Sequence, residues 1–182
     1  MTISEIHHPN GFIDWPAEAV AEFQRKGYWS GISLFAAVAE AAAHHPDSVA
    51  VVDDGRRVTY SALLEESRRV ARGLVAIGFV PGDRVIVQLP NCVDFVTLSL
   101  ACFSIGVLPI MALPAHREHE LTYLLEFSKA RGLAIANRFR DFDFQAMAKK
   151  LKENAPDLEH VLVSRIDVKD EVADGFKDLG AL

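Results

Sequence analysis

From residue 84 to residue 163, short apolar runs rich in β-branched residues alternate with segments of helical period. This alternation leaves few folds open. The runs are Arg84-Val85-Ile86-Val87-Gln88-Leu89, Val107 to Leu113, Leu133-Ala134-Ile135-Ala136 and His160-Val161-Leu162-Val163. Between them the pattern predicts a helix capped by Asn91 and ending near Ser104. A second runs from about Arg117 to Lys129, and a third opens at Asp141 or Asp143 and runs to about Glu153. Strands that alternate with helices at this spacing form a mostly parallel sheet, because each crossover must climb back over it. Nearly continuous apolar strands fit burial on both sides. The fold class is therefore α/β, with helices on both faces of the sheet.

Two other units precede this pattern. Residues 1–47 read as an N-terminal helical segment. Residues 1–11 are polar and loose, and a first helix, Pro16 to Lys26, is stopped by Gly27. A second helix is capped by Ser33 and runs to about His44 before Pro46. Trp15, Tyr28 and Trp29 are expected to anchor this segment onto the body. Residues 48–163 form the α/β unit, which begins with a β-hairpin. Val49-Ala50-Val51-Val52 and Arg57-Val58-Thr59-Tyr60 flank Asp54-Gly55, a tight-turn dipeptide. A long helix follows from about Ser61 to Ile77, closed by Gly78. Residues 164–182 are charged and show neither a helical period nor a strong strand, as expected of a segment leading into a longer protein.

Composition narrows the class. The chain has a net charge of -6, which disfavours nucleic acid and anionic membranes as partners. The longest apolar stretch, Phe95 to Leu113, is broken by Thr97, Ser99, Ser104, Gly106 and Pro109, so it reads as helix, turn and strand rather than a membrane span. No basic segment followed by an apolar core opens the chain, so the expected compartment is the cytoplasm. Cys92 and Cys102, read on one helix, lie too far apart to bond and behave as small buried apolar residues.

Chemical motifs are sparse. The sequence has no P-loop, no Gly-x-Gly-x-x-Gly after a strand and no Gly-x-Ser-x-Gly. An open α/β sheet binds ligands at the carboxyl ends of its strands. Here those ends read Leu89-Pro90-Asn91, Leu113-Pro114-Ala115-His116-Arg117 and Asn137-Arg138. His116 and His119 have a spacing that could hold a metal if a third ligand converged. His116 and Arg117 could line a cleft. Equally, 114–117 could be only a loop and helix start, with Glu118 and Glu120 complementing the helix dipole. The adjacent pairs His7-His8 and His44-His45 diverge and read as solvated. Lys149, Lys150 and Lys152 with Arg138 and Arg140 make a modest basic patch, read as a solvated helix face.

Several ordered segments resemble the adenylate-forming superfamily. Val58-Thr59-Tyr60-Ser61-Ala62-Leu63 is similar to its first core motif, and the helix continues through Ser67-Arg68-Arg69-Val70-Ala71-Arg72-Gly73-Leu74. Pro81-Gly82-Asp83-Arg84-Val85 is similar to the turn and strand that follow. Ala101-Cys102-Phe103-Ser104-Ile105-Gly106-Val107-Leu108-Pro109 is similar to the second core motif. Trp15-Pro16-Ala17-Glu18, Arg25-Lys26-Gly27-Tyr28-Trp29 and Ala112-Leu113-Pro114-Ala115-His116-Arg117 resemble the 2,3-dihydroxybenzoate–AMP ligases of siderophore synthesis.

The resemblance implies a parent enzyme that joins an aryl acid to AMP, with ATP and Mg²⁺, and passes the aryl group to the phosphopantetheine thiol of an aryl carrier protein. It also implies the N-terminal subdomain of that fold. The family's Ser/Thr/Gly-rich phosphate loop and its catalytic lysine do not occur in this sequence. No catalytic, cofactor-binding or metal-binding residue is therefore assigned, and the 182 residues alone are expected to be inactive. Two other readings stand beside this one: a non-catalytic scaffold or interaction module, and part of a ligase for fatty or other acyl acids with coenzyme A as acceptor. Apolar surface left uncovered on such a unit would favour self-association.

Overall fold

A computed structural model describes residues 13–165 and 171–182. The expectations for residues 1–11, including His7-His8, lie outside the described residues.

Helix α1, Ala17–Arg25, follows Pro16 and is ended by Gly27, whose φ of 72° suits a glycine. Helix α2, Leu34–His44, is capped as its sequence predicts: Ser33 Oγ accepts from Ala36 N at 3.1 Å. The aromatic residues of this region do not anchor into the body. Trp15 packs edge-on against Trp29 with ring centroids 5.7 Å apart, and Phe23 packs against Trp29 at 5.2 Å. Trp15 and Tyr28 remain exposed, and α1 buries no residue. The cluster closes on itself because Phe23, the one aromatic of Ala17–Arg25, meets Tyr28 and Trp29 from just beyond its own helix.

Strands β1, Val49–Asp53, and β2, Arg56–Thr59, form the hairpin. Asp54 and Gly55 both have positive φ, the signature of a type I′ turn. Tyr60, read as strand, opens the next helix instead. Thr59 Oγ1 accepts from Ala62 N at 3.2 Å and so fixes the start of α3, Tyr60–Ala76. Helix α3 buries Leu63, Leu64, Ser67, Val70, Ala71, Gly73 and Leu74 along one face.

The main sheet begins with β3, Arg84–Gln88, followed by α4, Val93–Ser104, and β4, Leu108–Met111. Then come α5, Glu118–Ser128, and β5, Gly132–Ala136. A small hairpin of β6, Arg138–Phe139, and β7, Phe142–Asp143, precedes α6, Phe144–Asn154. Strands β8, His160–Ser164, and β9, Lys177–Asp178, complete the sheet. Its order is β4-β3-β5-β8-β9, with every pairing parallel. The chain runs outward from β3 to β4, then back past β3 to β5. Right-handed crossovers therefore put α4 on one face and α5 and α6 on the other. Helix α3 packs on α4, and α5 packs on α6.

One further expectation needs correction, and two are made more definite. Asn91 does not cap α4. Cys92 occupies the N-cap position, outside the helix body, and Asp53 Oδ2 at the end of β1 accepts from Val93 N at 2.9 Å. A cap supplied from 40 residues away has no local signature. The tail is not without a strand: β9 pairs with β8, and Leu179 beyond it is buried at 3% exposure. Lastly, Arg140 and Asp141 adopt positive φ to turn the β6–β7 hairpin, so Asp143 caps α6 and Asp141 does not.

The core lies on both sides of the sheet. Val85, Ile86, Val87, Leu133, Ala134, Ile135, Val161, Leu162 and Val163 are all fully buried. At the amino end of the sheet Arg131 ties three segments together. Its Nη1 donates to Asp83 Oδ2 and to Gly78 O, and its Nε and Nη2 grip the Glu159 carboxylate at 2.9 and 2.6 Å.

Candidate functional site

The carboxyl ends of β3, β4, β5 and β8 gather the polar residues that an apolar sheet would otherwise exclude. Gln88, Asn137 and Ser164 are buried there at 0%, 1% and 1% exposure. Ser164 Oγ donates to Asp94 Oδ2 at 2.6 Å, joining β8 to the first turn of α4. Gln88 Nε2 donates to the carbonyls of Leu113 and His116 at 3.1 and 2.9 Å. Neighbouring strands β3 and β5 send their following helices, α4 and α6, to opposite faces, and such a switch point opens a crevice.

Along this edge, the loop after β4 meets the start of α6. Arg117 Nη1 donates to Pro114 O at 2.7 Å and to His116 O at 2.8 Å. Its guanidinium lies over the Phe142 ring, 3.9 Å from the centroid, and that ring stands edge-on to Phe144. Glu120 Oε2 accepts from Arg117 N at 2.9 Å and caps α5. That N–H, followed by the N–H of Glu120 itself, holds the Glu120 carboxyl below its ordinary range.

A cavity of about 400 Å³ opens beside this loop. Phe142, Ala146 and Met147 form its apolar wall, and Arg117, Lys150, Glu118 and Asp143 supply the charges. Lys150 Nζ lies 3.9 Å from Glu118, and Arg138 lies 3.9 Å from Asp143, so the charges are largely paired.

Of the two cleft candidates, Arg117 borders this cavity. His116 sits half-buried behind it and meets the site through its carbonyl. The basic patch divides: Lys150 reaches the cavity, Lys152 lies over Phe176, and Arg140 over Phe139. Among the described residues no group of three His, Cys, Asp or Glu is placed to hold a metal. Cys102 is inert, since burial pushes its thiol up to about 12. Burial likewise raises Cys92.

Sequence reading missed Gln88 and Phe142. Gln88 carried a signal, as the one uncharged polar residue inside an apolar strand. Phe142 carried none, because its role depends on a turn without glycine.

The sequence pattern of the AMP-binding enzymes matches residues 38–178, most of the chain and the whole of the sheet. The chain belongs to this family. It is 42% identical over 154 residues to a salicylyl-CoA synthase / salicylate adenylyltransferase of Streptomyces, covering 85% of the chain and 28% of that protein. It is 39% identical over 158 residues to the salicyl-AMP ligase / salicyl-S-ArCP synthetase of Mycobacterium tuberculosis, covering 84% and 28%. The apo structure of MbtA from Mycobacterium smegmatis superposes with a TM-score of 0.82 at 34% identity, over 94% of this chain and 30% of that one. The chain thus spans less than a third of the length of these relatives. It corresponds to the N-terminal subdomain of the adenylate-forming fold. No helix among its described residues is long and apolar enough to cross a membrane.

Proposed function

We propose that this chain is the front part of an aryl-acid adenylating ligase. The parent would activate 2,3-dihydroxybenzoate or salicylate with ATP as the aryl-AMP and hand it to the thiol of an aryl carrier protein, in the cytoplasm. The observation that carries this reading is the 42% identity to a salicylate adenylyltransferase over 85% of the chain. A 2,3-dihydroxybenzoate-AMP ligase of Bacillus subtilis matches at 32% over a similar stretch.

The residues present do not fit ATP and Mg²⁺ by themselves. A carboxylate attacks a polyanion only where backbone N–H groups and cations offset the phosphate charge. The sequence has no glycine-rich phosphate loop, and of the cations of the 400 Å³ cavity Lys150 faces Glu118 while Arg117 is held by the Pro114 and His116 carbonyls. No step of adenylation is assigned to this chain. Its part is to build the sheet and present the edge that His116 and Arg117 line, where the acceptor's pantetheine arm would run along the apolar wall of Phe142, Ala146 and Met147.

ATP–pyrophosphate exchange with a panel of acids tests the reading. The 182-residue chain is expected to show no exchange, and the same chain continued into a full-length ligase is expected to exchange with salicylate or 2,3-dihydroxybenzoate. Preference of the full-length protein for fatty acids would refute it.

A second acceptor is favoured by one observation. Two relatives at 39% and 42% identity are described as CoA-forming, a naphthoate–CoA ligase and the salicylyl-CoA synthase. Coenzyme A carries the same pantetheine arm, so the two acceptors differ only beyond the cleft. Thioester formation on free coenzyme A against carrier protein separates them.

A further inference from the structure

We propose that Gln88 is the positioning residue of the carboxyl-edge cleft: its carboxamide holds the loop 113–117 so that Arg117 lies across Phe142. The inference rests on the reading of that cleft as the ligand-facing edge.

Gln88 is fully buried in β3, behind Val85, Ile86 and Val87, which are equally buried. A carboxamide at such a depth is costly unless bonded, and Leu or Met would fill the same volume. Its polarity therefore serves a partner, and the partner is the loop. Nε2 donates across 25 and 28 residues to Leu113 O and His116 O. Chemistry fixes the orientation, because turning the amide over would set Oε1 against two carbonyl oxygens.

The His116 carbonyl is the shared point. It accepts from Gln88 Nε2 at 2.9 Å and from Arg117 Nη1 at 2.8 Å. Gln88 thus fixes the acceptor that fixes the guanidinium, and the guanidinium stacks 3.9 Å from the Phe142 centroid. Gln88 Oε1 and His116 Nδ1 are both buried and have no partner among the described residues. A hydrogen-bond donor, from a ligand or from water, would satisfy the oxygen.

Two variants of the full 182-residue chain, uniformly ¹⁵N-labelled, test the assignment by NMR. Gln88→Met keeps the volume and removes both donors. Amide exchange across 115–117 is expected to rise at least about tenfold, while β5 and β8 keep their protection. Gln88→Glu is nearly isosteric. Its carboxyl can donate one hydrogen bond when protonated and none when ionised. It keeps one of the two wild-type bonds at acid pH, so its loop resonances should lie nearer wild type there and move away as the pH rises. Packing alone would leave the loop of the protonated Glu variant no nearer wild type than that of Gln88→Met, and the acid-pH Glu loop still reads the donor if Gln88→Met fails to fold. A folded Gln88→Met with loop exchange equal to wild type, or a Gln88→Glu loop at acid pH as far from wild type as that of Gln88→Met, overturns the assignment. Titration of wild type with 4′-phosphopantetheine, read at Arg117 and Lys150, separates the two claims. A loosened loop in Gln88→Met with no pantetheine response keeps the positioning role and rejects the cleft reading.

Discussion

Gly73 of α3 lies directly under Leu182: a Cβ built on Gly73 would stand 2.6 Å from Leu182 Cβ and 2.7 Å from Leu182 O. The helix gives up a side chain so that residues after β9 can lie on it. Replacement of Gly73 by Ala therefore sets two effects against each other. Alanine gains about 1 kcal/mol of helix propensity, and overpacking against backbone costs about 1–3 kcal/mol. The Gly73→Ala variant is expected to be less stable in urea unfolding. A rise in midpoint would mean that Leu182 does not occupy this seat.

Arg131 is expected to contribute more to stability than any surface ion pair of the chain. It bonds Asp83, whose side chain is only 12% exposed, and it also satisfies the Gly78 carbonyl. Arg131→Met leaves that nearly buried carboxylate without its cation, with only Val80 N still donating to it, at a cost of about 2 kcal/mol. Arg131→Lys recovers little, since one ammonium cannot reproduce the fork on Glu159. Midpoints from chemical denaturation of the two variants check both statements.

These two relationships also show where the sequence was readable. Ser33, Thr59, Asp54-Gly55 and the apolar strands are local signals, so the helices, the hairpin and the parallel sheet could be read from neighbours along the chain. Asp53 on Val93, Arg131 on Glu159 and Gly73 under Leu182 are each set by distant partners, and no window of sequence contains both members. At the candidate site, the loop 113–117 was legible as a strand end. Its clamp by Gln88 and its stacking partner Phe142 were not, because both depend on which strands become neighbours.

Stability should fall as the solution is made acidic, with His160 as one cause. Burial, the largest cause, lowers its pKa below the ordinary 6.5, and Lys177 and Arg131 add to this against the opposing Glu159. The folded chain therefore prefers the neutral imidazole, packed 5.3 Å from the Phe79 ring. As pH drops through about 6.5 the unfolded chain takes up the proton first, and the folded state loses ground until its own lower pKa is passed. His160→Phe removes this contribution, so its unfolding midpoint should change less than that of wild type between pH 7.5 and about 5.

Thiol labelling should separate the two cysteines. Cys92 is half-buried and Cys102 is fully buried with its thiol pushed up to about 12. A disulfide reagent at neutral pH is expected to modify Cys92 slowly and Cys102 only at the rate of unfolding. Equal rates in the native protein would contradict the burial of α4.

The Asp53 cap gives the most direct test of how the hairpin is joined to the sheet. Asp53 ends β1, and its Oδ2 accepts from Val93 N at 2.9 Å at the start of α4. Asp53→Ala removes that acceptor and the favourable charge at the helix N-terminus, for about 1 kcal/mol. Asp53→Asn keeps an acceptor and should recover about half. The effect should also be local: amides of residues 93–95 lose protection, whereas Ser33-capped α2 keeps its own. If the hairpin instead sits on α4 by apolar contact alone, through Val51 and Val96, then Asp53→Ala will leave the protection of residues 93–95 unchanged.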